Sequence, residues 1–234
     1  MTLGTAVLDL LFPPKCPFCH RVLDDPRAPV CPACQPALPW LEGVAGEQKV
    51  EFADGCFSPL AYRDSVVEAV HRYKFQRVRA YDKPLGQLMA QCLLDRRPQG
   101  ADLVTWAPLS RRRLRERGFD QAELLARVVA RETGIPARAT LCKRRNTGPQ
   151  SRLQEESARR ANALGAYGPV PGLELAGMRV VLVDDVVTSG ATLGECARIL
   201  RQAGAAEVVC LTLARAHPGG PGAGDGRKIV GKNG

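Results

Sequence analysis

Aromatic residues are scarce in this chain of 234 residues: Phe, Tyr and Trp together make up 5%. A groove that holds single-stranded nucleic acid on stacked rings therefore has few platforms, of which Phe75, Tyr73 and Phe119 are the best candidates. No apolar run is long enough to span a bilayer, which excludes a helical membrane protein. The first residues, MTLGTAVLDLLFPPKC, lack a basic leader, carry Asp9 inside the apolar run and meet Pro13-Pro14. That pattern is not an export signal, so a cytoplasmic location and no membrane insertion are expected. There is no G-x-x-x-x-G-K-[ST], and no G-x-G-x-x-G follows a strand, which argues against the common nucleotide and dinucleotide loops. No internal repeat is present.

What the chain does have is basic charge, with 33 Lys+Arg against 24 Asp+Glu and a formal net charge of +9. Such a balance suits anionic partners: nucleotides, sugar phosphates or nucleic acid. Hydrophobic residues make up 45%, enough for a packed core. Leu3, Val7, Leu10 and Leu11 have helical spacing at the start, and the Gly/Pro/Lys-rich stretch from Pro218 reads as a disordered tail. Between them, DSVVEAVHRYKF, KPLGQLMAQCLL and DQAELLARVVARETG read as helices. Asp64 is a candidate N-cap, Pro84 lies in a first turn, Asp120 and Glu123 form a capping box, and Gly134 is a stop. GCFSPLAY and DLVTWAPL read as strands, SRRRLRERGF as a basic loop, and KRRNTGPQSRLQEESARRANAL as loop followed by helix.

The stretch VVLVDDVVTSGATL is the chemically richest. An apolar run, Val180–Val183, leads to Asp184 and Asp185, then to a loop of small residues opening a helix, TLGECARILRQAG; the strand AEVVCLTLA follows. Strand, loop, helix and strand in that order form a βαβ unit and predict a parallel sheet, an α/β fold. Ligands in such sheets bind beyond the carboxyl ends of the strands. The backbone amides of Thr188, Ser189, Gly190, Ala191 and Thr192 suit a phosphate, and the two carboxylates suit sugar hydroxyls. Together they have the shape of a ribose 5-phosphate site.

Nine cysteines are present. Cys16-x-x-Cys19 and Cys31-x-x-Cys34 offer four thiolates in two close pairs, the spacing of a structural zinc site. His20 adjoins Cys19 but is not needed to close a four-thiolate set. Cys92, Cys196 and Cys210 fall on apolar faces and read as core.

VVLVDDVVTSGATL resembles the phosphoribosyl-diphosphate (PRPP) signature of type I phosphoribosyltransferases. The wider chain resembles the ComF (competence protein F) branch of that fold. The shared motifs are the cysteine ribbon, Arg117-Gly118-Phe119-Asp120-Gln121-Ala122, Arg145 with Thr147 and Gln150, Arg159 with Asn162, and the signature itself, in that order. Thr105–Pro108 departs from the family's lead-in to its diphosphate loop, and Asp120 stands where Asn is common. The resemblance implies a type I phosphoribosyltransferase fold, a parallel sheet flanked by helices, behind a small zinc ribbon. It divides the chain into residues 1–50, 51–216 and a tail, 217–234. It implies PRPP or a related ribose phosphate as ligand, structural Zn²⁺, and Mg²⁺ arriving with PRPP. Asp184 and Asp185 become the ribose contacts, and Thr188, Ser189, Gly190, Ala191 and Thr192 the 5-phosphate loop. Ser110, Arg111 and Arg112 are candidates for the diphosphate, with Arg145 and Gln150 as a lid. Two functions remain open: phosphoribosyl transfer to an unidentified acceptor, linked to DNA uptake, or a non-catalytic factor that binds single-stranded DNA and other competence proteins.

Overall fold

The most apolar stretches become the two longest strands, β6 (Arg179–Val187) and β7 (Glu207–Arg215). They run parallel side by side, from Arg179 opposite Glu207 to Val187 opposite Arg215. The computed structural model describes residues 13–76, 78–97, 99–145 and 163–216. The N-terminal helix expected around Leu3–Leu11, the segment 146–162 and the tail from Pro218 lie outside the described residues.

Strand β3 (Leu103–Trp106) pairs with β6 on its far side, Leu103 opposite Val180. Beyond β7, β1 (Gly55–Phe57) and β2 (Leu60–Ala61) pair with successive parts of the same neighbour. GCFSPLAY is thus one edge strand interrupted at Ser58-Pro59, and the Ser58 hydroxyl meets that of Thr212 at 2.7 Å. Every pairing in this sheet is parallel, in the order β1-β7-β6-β3. Both faces are covered, which is why consecutive positions of β6 and β7 are apolar. Odd-numbered Val181, Val183, Leu211 and Leu213 join one buried cluster, and even-numbered Val180, Leu182, Val208 and Cys210 join the other.

On the first face lie α1 (Ser65–Phe75), α2 (Asp82–Arg96) and α4 (Gln121–Thr133). The ribbon residues Phe18, Leu23, Val30 and Leu38 belong to the same cluster, so packing is continuous across residue 50. On the second face lies α5 (Ala191–Gln202). The basic run does not form a loop: it is a two-turn helix, α3 (Arg111–Arg117), capped by the Ser110 hydroxyl and stopped at Gly118 with φ 83°. A short antiparallel pair, β4 (Leu141–Lys143) and β5 (Tyr167–Pro169), had no clear signal in the sequence.

Asp120 caps α4 through the amides of Ala122 and Glu123, whereas Glu123 turns to Arg127 rather than completing the box. Asp64 starts α1 with φ 50° and no side-chain cap bond. Helices α2 and α4 approach closely at Gly86, where an added Cβ would stand 2.5 Å from Val128 Cβ. Gly86→Ala therefore sets overpacking, which costs about 1–3 kcal/mol, against a helix-propensity gain of at most ~1 kcal/mol. The contact atom is a branched Cβ fixed on the facing helix, so the clash dominates. A lower urea midpoint at unchanged m-value is expected; an unchanged or higher midpoint would contradict the packing.

Candidate functional site

The four cysteines predicted as ligands come together. Their Sγ atoms all lie within 4.8 Å of one another, and Cys19 Sγ is 3.5 Å from Cys31 Sγ. Tetrahedral zinc with Zn–S bonds of ~2.3 Å places its sulfurs about 3.8 Å apart, so the set has the size for that ion. All four are free thiols, with Cys16 and Cys31 buried. Tight turns build the site: the His20 amide donates to Cys16 O, and the Cys34 and Gln35 amides donate to Cys31 O. His20 has φ 64° and turns away to meet the Tyr81 hydroxyl at 2.8 Å. Among the described residues no other cluster has metal-ligand spacing.

The second site is a cleft of about 230 Å³ at the C-terminal ends of β3 and β6. Strand β6 runs on to Val187, so Asp184 and Asp185 lie inside it rather than after it, Asp184 opposite Thr212. Both line the cleft with Thr188, Ser189, Gly190, Ala191 and Thr192. The two carboxylates have different environments. Asp185 is paired with Lys74 of α1 at 2.8 Å. Asp184 accepts the Asp185 amide at 2.8 Å. Burial, then the neighbouring Asp185 charge, push the Asp184 carboxyl up to about 7. The loop is fixed at Thr188, whose carbonyl accepts from Gln48 at 2.8 Å. Gly190 caps α5 with φ 75°, which leaves the first amides of a 12-residue helix facing the cleft.

Among the described residues, four cations line this cleft: Lys74, Arg113, Arg117 and Lys143. Of the residues proposed from the sequence for the diphosphate, none lines it. Ser110 is buried as the cap of α3. Arg111 is exposed, and Arg112 is exposed and paired with Glu116 at 2.8 Å. A helix turns every 3.6 residues, so Arg113 and Arg117 share the face that looks inward. Helical phase groups the arginines as Arg111 with Arg115 and Arg113 with Arg117, and the packing of the helix turns the second pair to the cleft. Arg145 bonds the carbonyls of Leu164 and Gly165 and is not part of the lining. Gln150, Thr147, Arg159 and Asn162 lie outside the described residues. Lys74, Lys143, Tyr62 and Tyr167 also line the cleft and carried no local signal.

The loop of Ala107, Pro108 and Leu109 forms another wall. Asp120 holds it by accepting the Leu109 amide at 2.7 Å while capping α4 with its other oxygen. Burial raises its carboxyl to about 6. A larger cavity, about 1100 Å³, lies on the other side of Ser189–Ala191 against residues 47–57. The acidic pair and the four cations face the smaller cleft, and the chemistry follows them. Of the proposed stacking rings, Tyr73 is 0% and Phe119 7% exposed, so neither meets a base; Phe75, 59% exposed, does face solvent. No helix among the described residues is long and apolar enough to cross a membrane.

Residues 120–229 match the family described as "Phosphoribosyl transferase domain", and residues 7–45 match the "Double zinc ribbon domain". With the parallel sheet and the Cys₄ cluster, this defines a protein of type I phosphoribosyltransferase fold carrying an N-terminal zinc ribbon. The chain is 29% identical over 224 residues to "Competence protein F" of Haemophilus influenzae, covering 86% of this chain and 97% of that protein. It is 32% identical over 215 residues to "DNA utilization protein YhgH" of Salmonella typhi, covering 86% and 89%. To "Competence protein ComFC" of Bacillus subtilis it is 29% identical over 163 residues, covering 68% and 63%. The chain belongs to the ComF family of phosphoribosyltransferase-fold proteins.

Proposed function

We propose that the cleft binds PRPP, or a close ribose phosphate, together with Mg²⁺. The observation that supports this most is the convergence of Asp184, Asp185, the Thr188–Thr192 loop and four cations on one cavity of about 230 Å³. In this reading Asp184 and Asp185 accept from the ribose hydroxyls. The amides at the start of α5 hold the 5-phosphate, and Arg113 and Arg117 face the diphosphate. Asp185 is already neutralised by Lys74, and Asp184 is held partly protonated near neutrality. The protein alone thus offers little charge for a divalent ion, which fits Mg²⁺ arriving on phosphate oxygens with its waters. When bound, Mg²⁺ neutralises the diphosphate charge. If transfer follows, the C1–diphosphate bond breaks with its electrons leaving on diphosphate, and an acceptor lone pair forms the new bond. The acceptor is not specified by these residues.

In this reading the chain divides into a ribbon to residue 50, a phosphoribosyltransferase-like unit to 216 and a tail beyond. Four free thiols in a metal set suit a reducing compartment such as the cytoplasm. Calorimetry tests the binding. Heat is expected for PRPP with Mg²⁺; a folded, zinc-loaded protein giving none would end this reading.

A second reading, a single-stranded DNA surface, is favoured by one feature. Helix α3 divides its arginines: Arg113 and Arg117 line the cleft, while Arg111, Arg112 and Arg115 are exposed. Relatives named for competence and DNA utilization make a DNA partner relevant. A labelled oligonucleotide should then show a log–log salt slope of about −0.7 per phosphate contacted. Arg111→Glu/Arg115→Glu should reduce the slope by ~1.4, and PRPP should not displace the oligonucleotide. Anisotropy with a flat salt response would remove this surface from consideration.

A further inference from the structure

The β4–β5 pair brings two side chains to the cleft that the ribose-phosphate reading leaves without a role. Lys143 stands directly opposite Tyr167 in the antiparallel register. Residues so paired point to one face. Here that face is the cleft, which both residues line together with Asp184, Arg113 and Thr192. Lys143 Nζ donates to the Tyr167 hydroxyl at 2.9 Å and lies 4.6 Å from the centre of its ring. Tyr167 is itself buried and is hydrogen-bonded to Thr192 in the first turn of α5. The ammonium is therefore held at a fixed point beside the Thr188–Thr192 loop. It has three N–H donors, and one goes to Tyr167. Among the described residues no carboxylate pairs with it. A half-buried lysine held without a counter-ion is costly unless something anionic completes it.

We propose that Lys143, fixed by Tyr167, is a phosphoryl-binding residue of the cleft, donating its remaining N–H groups to an anionic oxygen of the bound ribose phosphate. This rests on the ribose-phosphate reading and adds a residue to it. Arg113 is a near neighbour of Lys143, and a shared phosphoryl group lying between the two cations offsets their repulsion. Tyr167 acts through Lys143 as a positioning residue.

Burial and the charge of Arg113 bring Lys143 down to about 8. The groups facing it are Arg113 from α3, Tyr167 from β5, Cys196 from α5, Asp184 from β6 and Asp120 before α4. Arginine keeps its charge, and burial raises both Cys196 and Tyr167, so neither ionises near pH 8. Asp120 and Asp184 are raised only to about 6 and about 7. Above pH ~7.5, Lys143 is the facing group that loses charge. The charged form binds the anion, so affinity falls as pH rises through about 8.

Calorimetry with Mg²⁺ and PRPP, ribose 5-phosphate or inorganic diphosphate tests this on wild type, Lys143→Met and Lys143→Arg. Lys143→Met should weaken PRPP about 10- to 100-fold, the worth of one charge-assisted hydrogen bond. The ligand that weakens in parallel, ribose 5-phosphate or diphosphate, names the phosphoryl group contacted. Lys143→Arg should recover most of the affinity and abolish the decline between about pH 7.5 and 9.5, while Tyr167→Phe should give a smaller loss. Wild-type binding that Lys143→Met leaves unchanged overturns the proposal and spares the ribose-phosphate reading. So does an arginine variant as weak as the methionine one, or a wild-type profile that is flat over that range. No binding of PRPP by wild type removes both.

Discussion

Replacing Cys16 and Cys31 together by serine is expected to release the metal and to unfold more than the ribbon. Purified wild type should carry one zinc per chain. Structural zinc contributes ~10–16 kcal/mol of apparent binding free energy in small peptides, as large as the whole stability of an ordinary domain. Losing it leaves a ribbon with little core of its own. That ribbon is not an appendage: Phe18, Leu23, Val30 and Leu38 pack in one cluster with Tyr73, Leu85 and Met89. The Arg72 guanidinium of α1 donates to Pro17 O and Phe18 O at 3.1 and 3.4 Å. Loosening the ribbon therefore exposes α1 and α2. A fall in thermal midpoint of at least ~10 °C follows if about 5 kcal/mol is lost, at 2–4 °C per kcal/mol for a chain of this size. Metal analysis and thermal unfolding decide it. Full zinc retention, or a zinc-free variant melting at the wild-type midpoint, would count against the site.

Gly190→Val is expected to reduce PRPP binding at least ~100-fold, the largest effect of any change in the cleft. The backbone at 190 has φ 75°, a conformation costly for a β-branched residue, by ~1–3 kcal/mol. An added Cβ would also stand 3.1 Å from Val50 Cγ2. The loop must move, and its amides then no longer point at one phosphate. Asp184→Asn/Asp185→Asn should act differently. It replaces charged ribose acceptors by weaker, neutral amide oxygens and frees Lys74 from its ion pair, so PRPP weakens while inorganic diphosphate, which has no ribose, binds as well or better. Equal losses for both ligands would contradict the assignment of the carboxylates to the sugar. The pH dependence has a definite sign. Asp184 accepts best when ionised, and its carboxyl is raised to about 7, so PRPP affinity rises as pH rises through neutrality. With the loss of Lys143 charge beyond about 8, the profile becomes a bell.

The sheet centre and the acidic loop were legible because each has a strong local cause: apolar runs, an adjacent acid pair, a glycine before a helix. The cysteine pairs were legible for the same reason. Helix α3 was missed because seven residues with five arginines carry no apolar period, and its fold depends on the Ser110 cap and Gly118. The consequence reaches the cleft: Arg113 and Arg117 line it and Arg111 and Arg112 do not, a division that needs both the helical phase and the packing of the helix. Lys74 and Lys143 could not be found locally. Each reaches the cleft through tertiary placement, one across an ion pair with Asp185 and the other across a strand pair with Tyr167.

The placement of β7 also dictates a timetable. It is the last described strand in the chain, yet it lies inside the sheet between β1 and β6. Ser58 and Thr212, which meet at its border, are separated by 154 residues. During synthesis the edge made by β1 and β2 has no partner until β7 leaves the ribosome. The cysteine ribbon can close on its metal long before that, while the helices it packs against still wait for a sheet. Parallel pairing over such separations is slow and leaves apolar strands uncovered meanwhile. A nascent chain of this design is expected to be prone to aggregation until its final strand arrives, and a soluble yield that rises with chaperone supply would show it.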